Sequence, residues 1–265
     1  MLDNHFVPDG YGIIPYFSIF GKEIPSYSVF VGLSLIVGIT WFLITVPKKE
    51  KIKGYRPFVI VLSALFFGAI GSKALVIIEN IKPLVEDFSQ IRVFLFTGKS
   101  IVGGLIGGYI GVIIGKKVLN IKEKRFGNQI APAVALGMAV GRIGCFLTGC
   151  CYGIETNLPI GIDFGDGINR IPTQLIEMAF CLILFGYLFY KQKTEKELQP
   201  GILFYDLILY YFIFRFLIEF IRGTEKNILF LSIYQIISIL GIIYILFKIK
   251  KEKKLWMKTK TKSTM

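Results

Sequence analysis

Apolar residues are grouped along the chain into seven blocks of about 20 residues each, separated by short polar segments. The blocks cover about 27–46, 58–78, 101–118, 129–150, 172–190, 202–222 and 228–247. About 20 apolar residues in a helix cross the roughly 30 Å of hydrocarbon in a bilayer. The pattern therefore predicts an all-α integral membrane protein with about seven transmembrane helices. We expect one membrane domain over 1–247, followed by a basic tail over 248–265.

The composition agrees with this pattern. Of the 265 residues, 54% are apolar and 18% are charged, whereas about a quarter of the residues in soluble domains are charged. A soluble globular enzyme is therefore excluded. In the third block Gly103, Gly107 and Gly111 recur every four residues, which predicts close helix packing. The first 26 residues lack the features of a cleaved signal peptide, so we expect the first span to remain in the mature protein.

The net charge of +13 is distributed in a way that predicts orientation. Of the 31 Lys and Arg residues, 21 lie in the alternate segments 47–57, 116–127, 191–200 and 248–265, and only six lie in the segments between them. Cytoplasmic loops carry the excess of Lys and Arg. We therefore expect the N-terminus outside and the C-terminus in the cytoplasm. Orientation accounts for the basic charge, so no nucleic acid partner is expected.

Several polar residues lie inside the predicted spans, where each charge costs about 2.5–3.5 kcal/mol. In the predicted orientation all of them lie towards the outer face: Tyr27, Lys73, Arg142, Thr173, Gln174, Glu177, Arg215, Glu219 and Arg222. Their four cations exceed their two carboxylates, and arginine suits phosphate oxygens. This favours a site for the phosphate of an anionic phospholipid in the outer leaflet. The alternative is a set of ion pairs that only locks the helices together.

Three cysteines lie within seven residues, namely Cys145, Cys150 and Cys151. A nucleophilic role is one hypothesis, because Arg142 lies one helical turn from Cys145 and cations stabilise thiolates. A disulfide from Cys145 to one of the other two is a second, and inert packing beside glycines is a third. A metal site lacks histidines and a second cysteine pair, so no metal is expected. Cys181, inside the fifth span, is predicted to be a core residue.

The segment Gly141–Gly153, GRIGCFLTGCCYG, resembles the signature of the bacterial prolipoprotein diacylglyceryl transferase family. Other ordered matches extend over most of the chain: Tyr27, Val102-Gly-Gly, Ala131-Pro132, PTQLIE at 172–177, RFLIEFIR at 215–222 and LSIYQ at 231–235. The family enzyme transfers the diacylglyceryl group of phosphatidylglycerol to the lipobox cysteine of a secreted preprotein. It forms a thioether and releases glycerol phosphate at the outer face of the plasma membrane. The resemblance implies these two substrates and no cofactor.

The resemblance also implies roles for individual residues. Arg142, Arg215 and Arg222 would contact the lipid phosphate, Glu219 would orient them, and Tyr27 would belong to the site. Together with the sequence pattern, this gives the catalytic candidates Cys150, Cys145, Cys151, Tyr27 and Glu219. The supporting candidates are Gln174, Glu177, Gly141, Gly144 and Gly153.

The chain departs from the family pattern at five positions. Cys145 stands where the family has Asn, Cys150 where it has Glu, and Asn128 where it has Asp. Two family histidines are replaced by Val102 and Ile171, and an aliphatic side chain cannot take a proton from an incoming thiol. These changes indicate a divergent member. They leave open a related lipid-group transfer to another acceptor, a non-catalytic lipid-binding membrane protein, and a thiol-dependent acyl-transfer or redox enzyme.

Overall fold

The computed structural model of the chain describes residues 11–45, 56–86, 88, 91, 100–121, 126–195, 197–224 and 230–263. Several parts on which the charge count draws lie outside the described residues. They include residues 1–10 with His5, 46–55, 92–99, 122–125 and 225–229.

The described residues form eight helices and two short hairpins. The helices are α1 Ser26–Thr45, α2 Arg56–Glu79, α3 Ile81–Glu86, α4 Ile101–Val118, α5 Phe126–Thr148, α6 Thr173–Thr194, α7 Ile202–Ile218 and α8 Ile233–Ser263. The antiparallel hairpins pair β1 Tyr16–Ile19 with β2 Lys22–Pro25, and β3 Ile162–Asp163 with β4 Asn169–Arg170. The sequence pattern did not predict these hairpins.

Six of the helices are long and apolar enough to cross a membrane, which confirms the all-α integral membrane class. They are α1, α2, α4, α5, α6 and α8. Helix α7 has 17 residues and is shorter than any of these six. The count of seven spans therefore stays a prediction, and so does the division into a domain over 1–247 and a tail.

The last helix differs from the expected boundary at residue 247. Helix α8 continues through the basic segment to Ser263. The residues between 248 and 263 include neither Gly nor Pro and are rich in lysine, a good helix former. The basic segment is therefore a continuation of the helix.

The chain forms two compact units, of which the first holds α2, α3 and α4. Helices α2 and α4 pack through the predicted glycine stripe. A Cβ atom on Gly107 would overlap the carbonyl oxygen of Phe67, and one on Gly111 would overlap that of Ser63. The packing role predicted for the stripe is confirmed. Val102 is buried in the first turn of α4, and Lys73 lies on α2 of the same unit.

The second unit holds α1, both hairpins and helices α5 to α8, with α5 packed against α1, α6 and α7. Its apolar core consists of small residues of α5 and leucines of α6 and α7: Ala131, Ala135, Leu184, Leu188, Leu203 and Leu207. Gly144 permits the close approach of α1, because a Cβ atom there would lie 2.7 Å from the Cβ of Phe30. This packing fixes α5, which carries the signature, between its neighbours.

Asn128, at the start of α5, bonds to the first turn of α7 and to the segment before it. Its Oδ1 accepts the backbone N–H of Leu203 at 3.0 Å, and its Nδ2 donates to the carbonyl of Gln199 at 2.9 Å. Leu203 lies in the first turn of α7, where backbone N–H groups have no partner inside the helix. The amide donates and accepts at once, which a carboxylate does not do. Asn128 therefore caps α7, about 21 Å along α5 from Arg142.

Candidate functional site

Five buried side chains of alternating charge form a chain at one end of the second unit. Arg142 Nη2 lies 2.5 Å from Glu177 Oε1, and Glu177 Oε2 lies 3.8 Å from Arg215 Nη1. Arg215 Nη2 lies 2.9 Å from Glu219 Oε2, and the other Glu219 oxygen lies 3.9 Å from Arg222 Nε. Each side chain is at most 4% exposed. The structure thus confirms that these residues, from three separate predicted spans, come together.

Three guanidinium groups and two carboxylates leave this charge chain with one excess positive charge. The sequence-based count gave an excess of two because it also included Lys73, which lies on α2 and is not one of these five side chains. Among the residues that the structure describes, the Nε atoms of Arg142 and Arg215 have no hydrogen-bond partner. The charge chain therefore retains one positive charge and unused donors in a buried environment, where unpaired charge is costly.

Three further residues, each carrying a hydroxyl group, contact the charge chain and hold it in place. The sequence analysis assigned none of them an individual role. Tyr211 donates its hydroxyl to Glu177 Oε1 at 2.8 Å, and Thr224 donates to Glu219 Oε1 at 2.5 Å. The guanidinium of Arg215 stacks on the ring of Tyr234 at 4.5 Å. Tyr211 precedes Arg215 by four residues, so helical spacing alone places it on the charged face of α7.

The three clustered cysteines lie where α5 ends in a double left-handed turn. Gly149 has a φ of 73°, and the N–H of Cys150 bonds to the carbonyl of Cys145 at 3.0 Å, as in a Schellman motif. Cys151 is also left-handed, with a φ of 62°. As a result the Sγ atoms of Cys145, Cys150 and Cys151 lie within 4.8 Å of one another. We call these three side chains the thiol cluster.

The thiol cluster adjoins the charge chain. Arg142 Nη1 lies 3.8 Å from the Sγ of Cys145, and Tyr27 packs against the cluster. The first residues of α6 fix the turn from the other side. Thr173 donates its hydroxyl to the carbonyl of Cys151 at 2.6 Å, and Gln174 donates Nε2 to the carbonyl of Cys150 at 2.6 Å.

The glycines of the signature differ in their surroundings. A Cβ atom on Gly153 would lie 2.5 Å from the carbonyl oxygen of Ile221, so Gly153 permits the signature loop to lie against the backbone beside Arg222. Gly144 likewise permits the approach of α1, whereas a Cβ on Gly141 would only reach ordinary contact with Ser34 at 3.9 Å. Close backbone approach therefore requires glycine at 144 and 153 but not at 141.

The loop after the signature is pinned by an ion pair. Arg170 donates Nη1 and Nη2 to the two carboxylate oxygens of Asp166 at 2.7 and 2.6 Å, and its guanidinium lies 4.7 Å from the centre of the Tyr152 ring. These bonds lower the pKa of Asp166 from 3.8 to about 2. Arg170 also donates to the hydroxyl of Tyr11 at 3.1 Å, and burial raises the pKa of that phenol. The loop is thereby tied to the segment before α1.

The two positions of the missing family histidines carry no proton-accepting side chain. Ile171 is buried, and its carbonyl oxygen accepts the N–H groups of Gly153 and Thr173. Val102 is 1% exposed within the first unit. Throughout the described residues there is no histidine, because the single histidine of the chain is His5. Cys181 is fully buried in α6, which confirms its predicted place in the core.

Comparison with known proteins gives a consistent match. A family model described as prolipoprotein diacylglyceryl transferase matches residues 15–249. The chain is 34% identical over 242 residues to a protein of Clostridium tetani, covering 87% of this chain and 94% of that protein. It is 34% identical over 249 residues to one of Clostridium perfringens, with 89% and 94% covered, and 32% identical over 240 residues to one of Finegoldia magna, with 90% and 96% covered. Each of these relatives is named a phosphatidylglycerol–prolipoprotein diacylglyceryl transferase, the Clostridium perfringens protein with the suffix 2.

Proposed function

Because this chain belongs to the prolipoprotein diacylglyceryl transferase family, we propose that it transfers the diacylglyceryl group of phosphatidylglycerol to the lipobox cysteine of a prolipoprotein. The observation that carries the proposal is the buried charge chain with one excess positive charge. The names of the relatives favour this transferase activity over a passive lipid-binding protein and over a thiol-dependent acyl-transfer or redox enzyme.

The charge chain suits the phosphate group of the donor lipid. A phosphodiester carries one negative charge, which would neutralise the one excess positive charge of Arg142, Arg215 and Arg222. Guanidinium groups bind phosphate oxygens with paired hydrogen bonds, and two of these groups have an Nε donor without a hydrogen-bond partner among the described residues. We assign phosphate binding to the three arginines.

The same residues are also suited to assist cleavage of the carbon–oxygen bond of the donor lipid. When the acceptor sulfur attacks the glyceryl carbon, the carbon–oxygen bond to phosphate breaks and glycerol phosphate leaves with additional negative charge. Preorganised donors stabilise charge that develops in the transition state. Glu177 and Glu219 hold the guanidinium groups in position, and Tyr211 and Thr224 hold the two carboxylates. Their role is to position the arginines.

The acceptor side of the site is assigned to the thiol cluster and Tyr27. These side chains adjoin Arg142, so an acceptor thiol among them would lie beside the lipid phosphate. Gln174 fixes the turn of the thiol cluster, and Gly144 and Gly153 permit the backbone approaches around it. The site thus consists of a phosphate side and a sulfur side, and Arg142 joins the two.

We place the site at the outer face of the bacterial plasma membrane, with the N-terminus outside and the C-terminus inside. The basis is the distribution of 21 against six basic residues between alternate segments. Leu158 in the loop after the signature is 58% exposed, so a Leu158→Cys variant offers a reporter thiol. We expect an impermeant maleimide to label it in intact cells. The unsubstituted protein, whose clustered cysteines are buried, gives the background. Labelling only after permeabilisation would overturn this orientation.

The activity is tested with the purified full chain in micelles, phosphatidylglycerol and a synthetic lipobox peptide. We expect the peptide to gain the mass of one diacylglyceryl group and glycerol phosphate to appear in equal amount. A peptide with serine in place of the lipobox cysteine serves as the matched control and should gain nothing. An unmodified cysteine peptide, under conditions in which a relative modifies it, would refute the proposed transfer.

A further inference from the structure

The thiol cluster has the geometry of a metal site that lacks one ligand. Its three Sγ atoms lie within 4.8 Å of one another. In a tetrahedral zinc site with Zn–S bonds of about 2.3 Å, two sulfurs lie about 3.8 Å apart. The sulfurs therefore need to move together by no more than about 1 Å to bind one ion.

The backbone of the thiol cluster is strained in a way that serves this geometry. Cys151 adopts a left-handed conformation, with a φ of 62°, that costs a non-glycine residue about 1–2 kcal/mol. Glycine would adopt it without that cost. Strain of this kind persists where surrounding structure imposes it, and here Thr173 and Gln174 bond to the two carbonyl groups of the turn. The cysteine at 151 therefore adds a third sulfur at a conformational cost.

The ligand set suits a divalent ion with an open position. Within the part of the chain that the structure describes, no histidine or carboxylate joins the three sulfurs in this group. Three protein ligands with a fourth position open to substrate are typical of catalytic zinc. The guanidinium of Arg142 lies 3.8 Å from one of the sulfurs, where a cation stabilises thiolates.

We propose that Cys145, Cys150 and Cys151 bind one zinc ion, and that the lipobox cysteine of the acceptor occupies its fourth position. The inference rests on the proposed function and names the group that activates the acceptor thiol. A thiol that coordinates zinc is deprotonated outright. The ion would therefore activate the acceptor thiol in place of a proton-accepting histidine, which this chain lacks at Val102 and Ile171.

The step balances without any change of oxidation state. The acceptor S–H loses its proton to solvent when the sulfur binds zinc. A lone pair of the bound sulfur then forms the C–S bond to the glyceryl carbon, while the C–O bond breaks and its electron pair leaves on the oxygen of glycerol phosphate. The resulting neutral thioether is a weaker ligand than a thiolate and dissociates. Zinc has no redox chemistry and returns unchanged to its three cysteines.

The first test of the zinc site measures metal binding alone. The full chain in detergent micelles is stripped with a chelator and titrated with Co²⁺, a spectroscopic substitute for Zn²⁺. We expect one equivalent to bind, with a thiolate-to-cobalt charge-transfer band and intense ligand-field bands in the visible. Cys150→Ala should weaken binding by more than about 100-fold, because even the loss of an outer-shell partner costs 10–100-fold. Cys181→Ala removes a buried thiol outside the cluster and should bind normally.

The second test adds the acceptor. The lipobox peptide should shift the visible cobalt bands, and the serine peptide should leave them unchanged. Chelation should abolish diacylglyceryl transfer, and Zn²⁺ should restore it. Absence of cobalt–thiolate bands in the unsubstituted protein overturns the zinc site, whatever the variants do. Full transfer by the stripped protein also overturns it and leaves the proposed function intact. Peptide-dependent cobalt bands without transfer from phosphatidylglycerol support the zinc site and overturn the proposed function.

Discussion

Replacing Glu177 with glutamine tests whether the ion pairs of the charge chain stabilise the protein and whether the charge chain binds the lipid phosphate. The Glu177 carboxylate lies between Arg142 and Arg215 and is fully buried. Glutamine has nearly the same volume and still accepts the hydrogen bond from Tyr211. The substitution therefore removes one negative charge and little else, and the excess positive charge of the charge chain rises from one to two.

The magnitude follows from the burial of this ion pair. Removing one partner of a buried pair costs about 3–5 kcal/mol, and the retained hydrogen bond favours the lower value of about 3 kcal/mol. At about 2–4 °C per kcal/mol for a chain of this size, we expect the melting temperature to fall by about 6–12 °C. Glu195→Gln is the matched control. Glu195 lies 3.9 Å from Lys191 and is 50% exposed, and such surface pairs contribute about 0–1 kcal/mol.

The assay is thermal unfolding of the full chain in neutral detergent, without lipid and then with added phosphatidylglycerol. The lipid phosphate would supply the negative charge that Glu177→Gln lacks, so lipid should raise the melting temperature of this variant more than that of the unsubstituted protein. A melting temperature within about 2 °C of the unsubstituted protein would refute the assigned burial and pairing of Glu177. Equal stabilisation of both proteins by the lipid would refute the assignment of the charge chain to phosphate binding.

Three further predictions test the phosphate side, the loop and the backbone approach. Arg215→Lys should lower kcat/KM for peptide modification by about 100-fold or more, because an ammonium group cannot reproduce the guanidinium fork; unchanged turnover would contradict its role. Asp166 has a pKa lowered to about 2 by Arg170, so its stabilisation of the loop is present above about pH 4 and lost as the pH falls through about 2. Hydrogen exchange of loop amides, corrected for intrinsic rates, should show this loss in the unsubstituted protein but not in Asp166→Asn. Gly153→Ala should lower the melting temperature through an overlap that costs about 1–3 kcal/mol, whereas Gly186→Ala, where a Cβ meets nothing within 4 Å, should not.

The sequence predicts most of the charge chain because charges inside apolar blocks are conspicuous. Arg215, Glu219 and Arg222 share a helix face by spacing alone, and Arg142 and Glu177 stand out in their own spans. Tyr211 was missed because a tyrosine in an apolar helix reads as ordinary packing. Thr224 lies beyond the end of α7, where helical spacing no longer predicts neighbours.

The three clustered cysteines could be found in the sequence, but the geometry of the thiol cluster could not be predicted from it. Three cysteines within seven residues were evident, but their convergence depends on the left-handed conformations at Gly149 and Cys151. It also depends on hydrogen bonds from the first turn of α6, more than 20 positions later in the chain. A residue such as Cys151 is ordinarily expected to have a negative φ. Tertiary contacts impose the other conformation, and no local pattern in the sequence encodes it.

The opposite charges of the charge chain lie close together in the sequence, and this bears on how the protein is inserted into the membrane. Arg142 lies on α5 and its partner Glu177 lies on α6, so the two opposite charges belong to consecutive helices joined by one loop. The next helix, α7, carries Arg215 and is followed at once by its own partner, Glu219. A lone charge in a segment entering the bilayer costs about 2.5–3.5 kcal/mol. If α5 and α6 enter the bilayer together as a hairpin, and α7 enters with the residue that follows it, each of these charges has its partner at the moment of insertion and that cost is reduced.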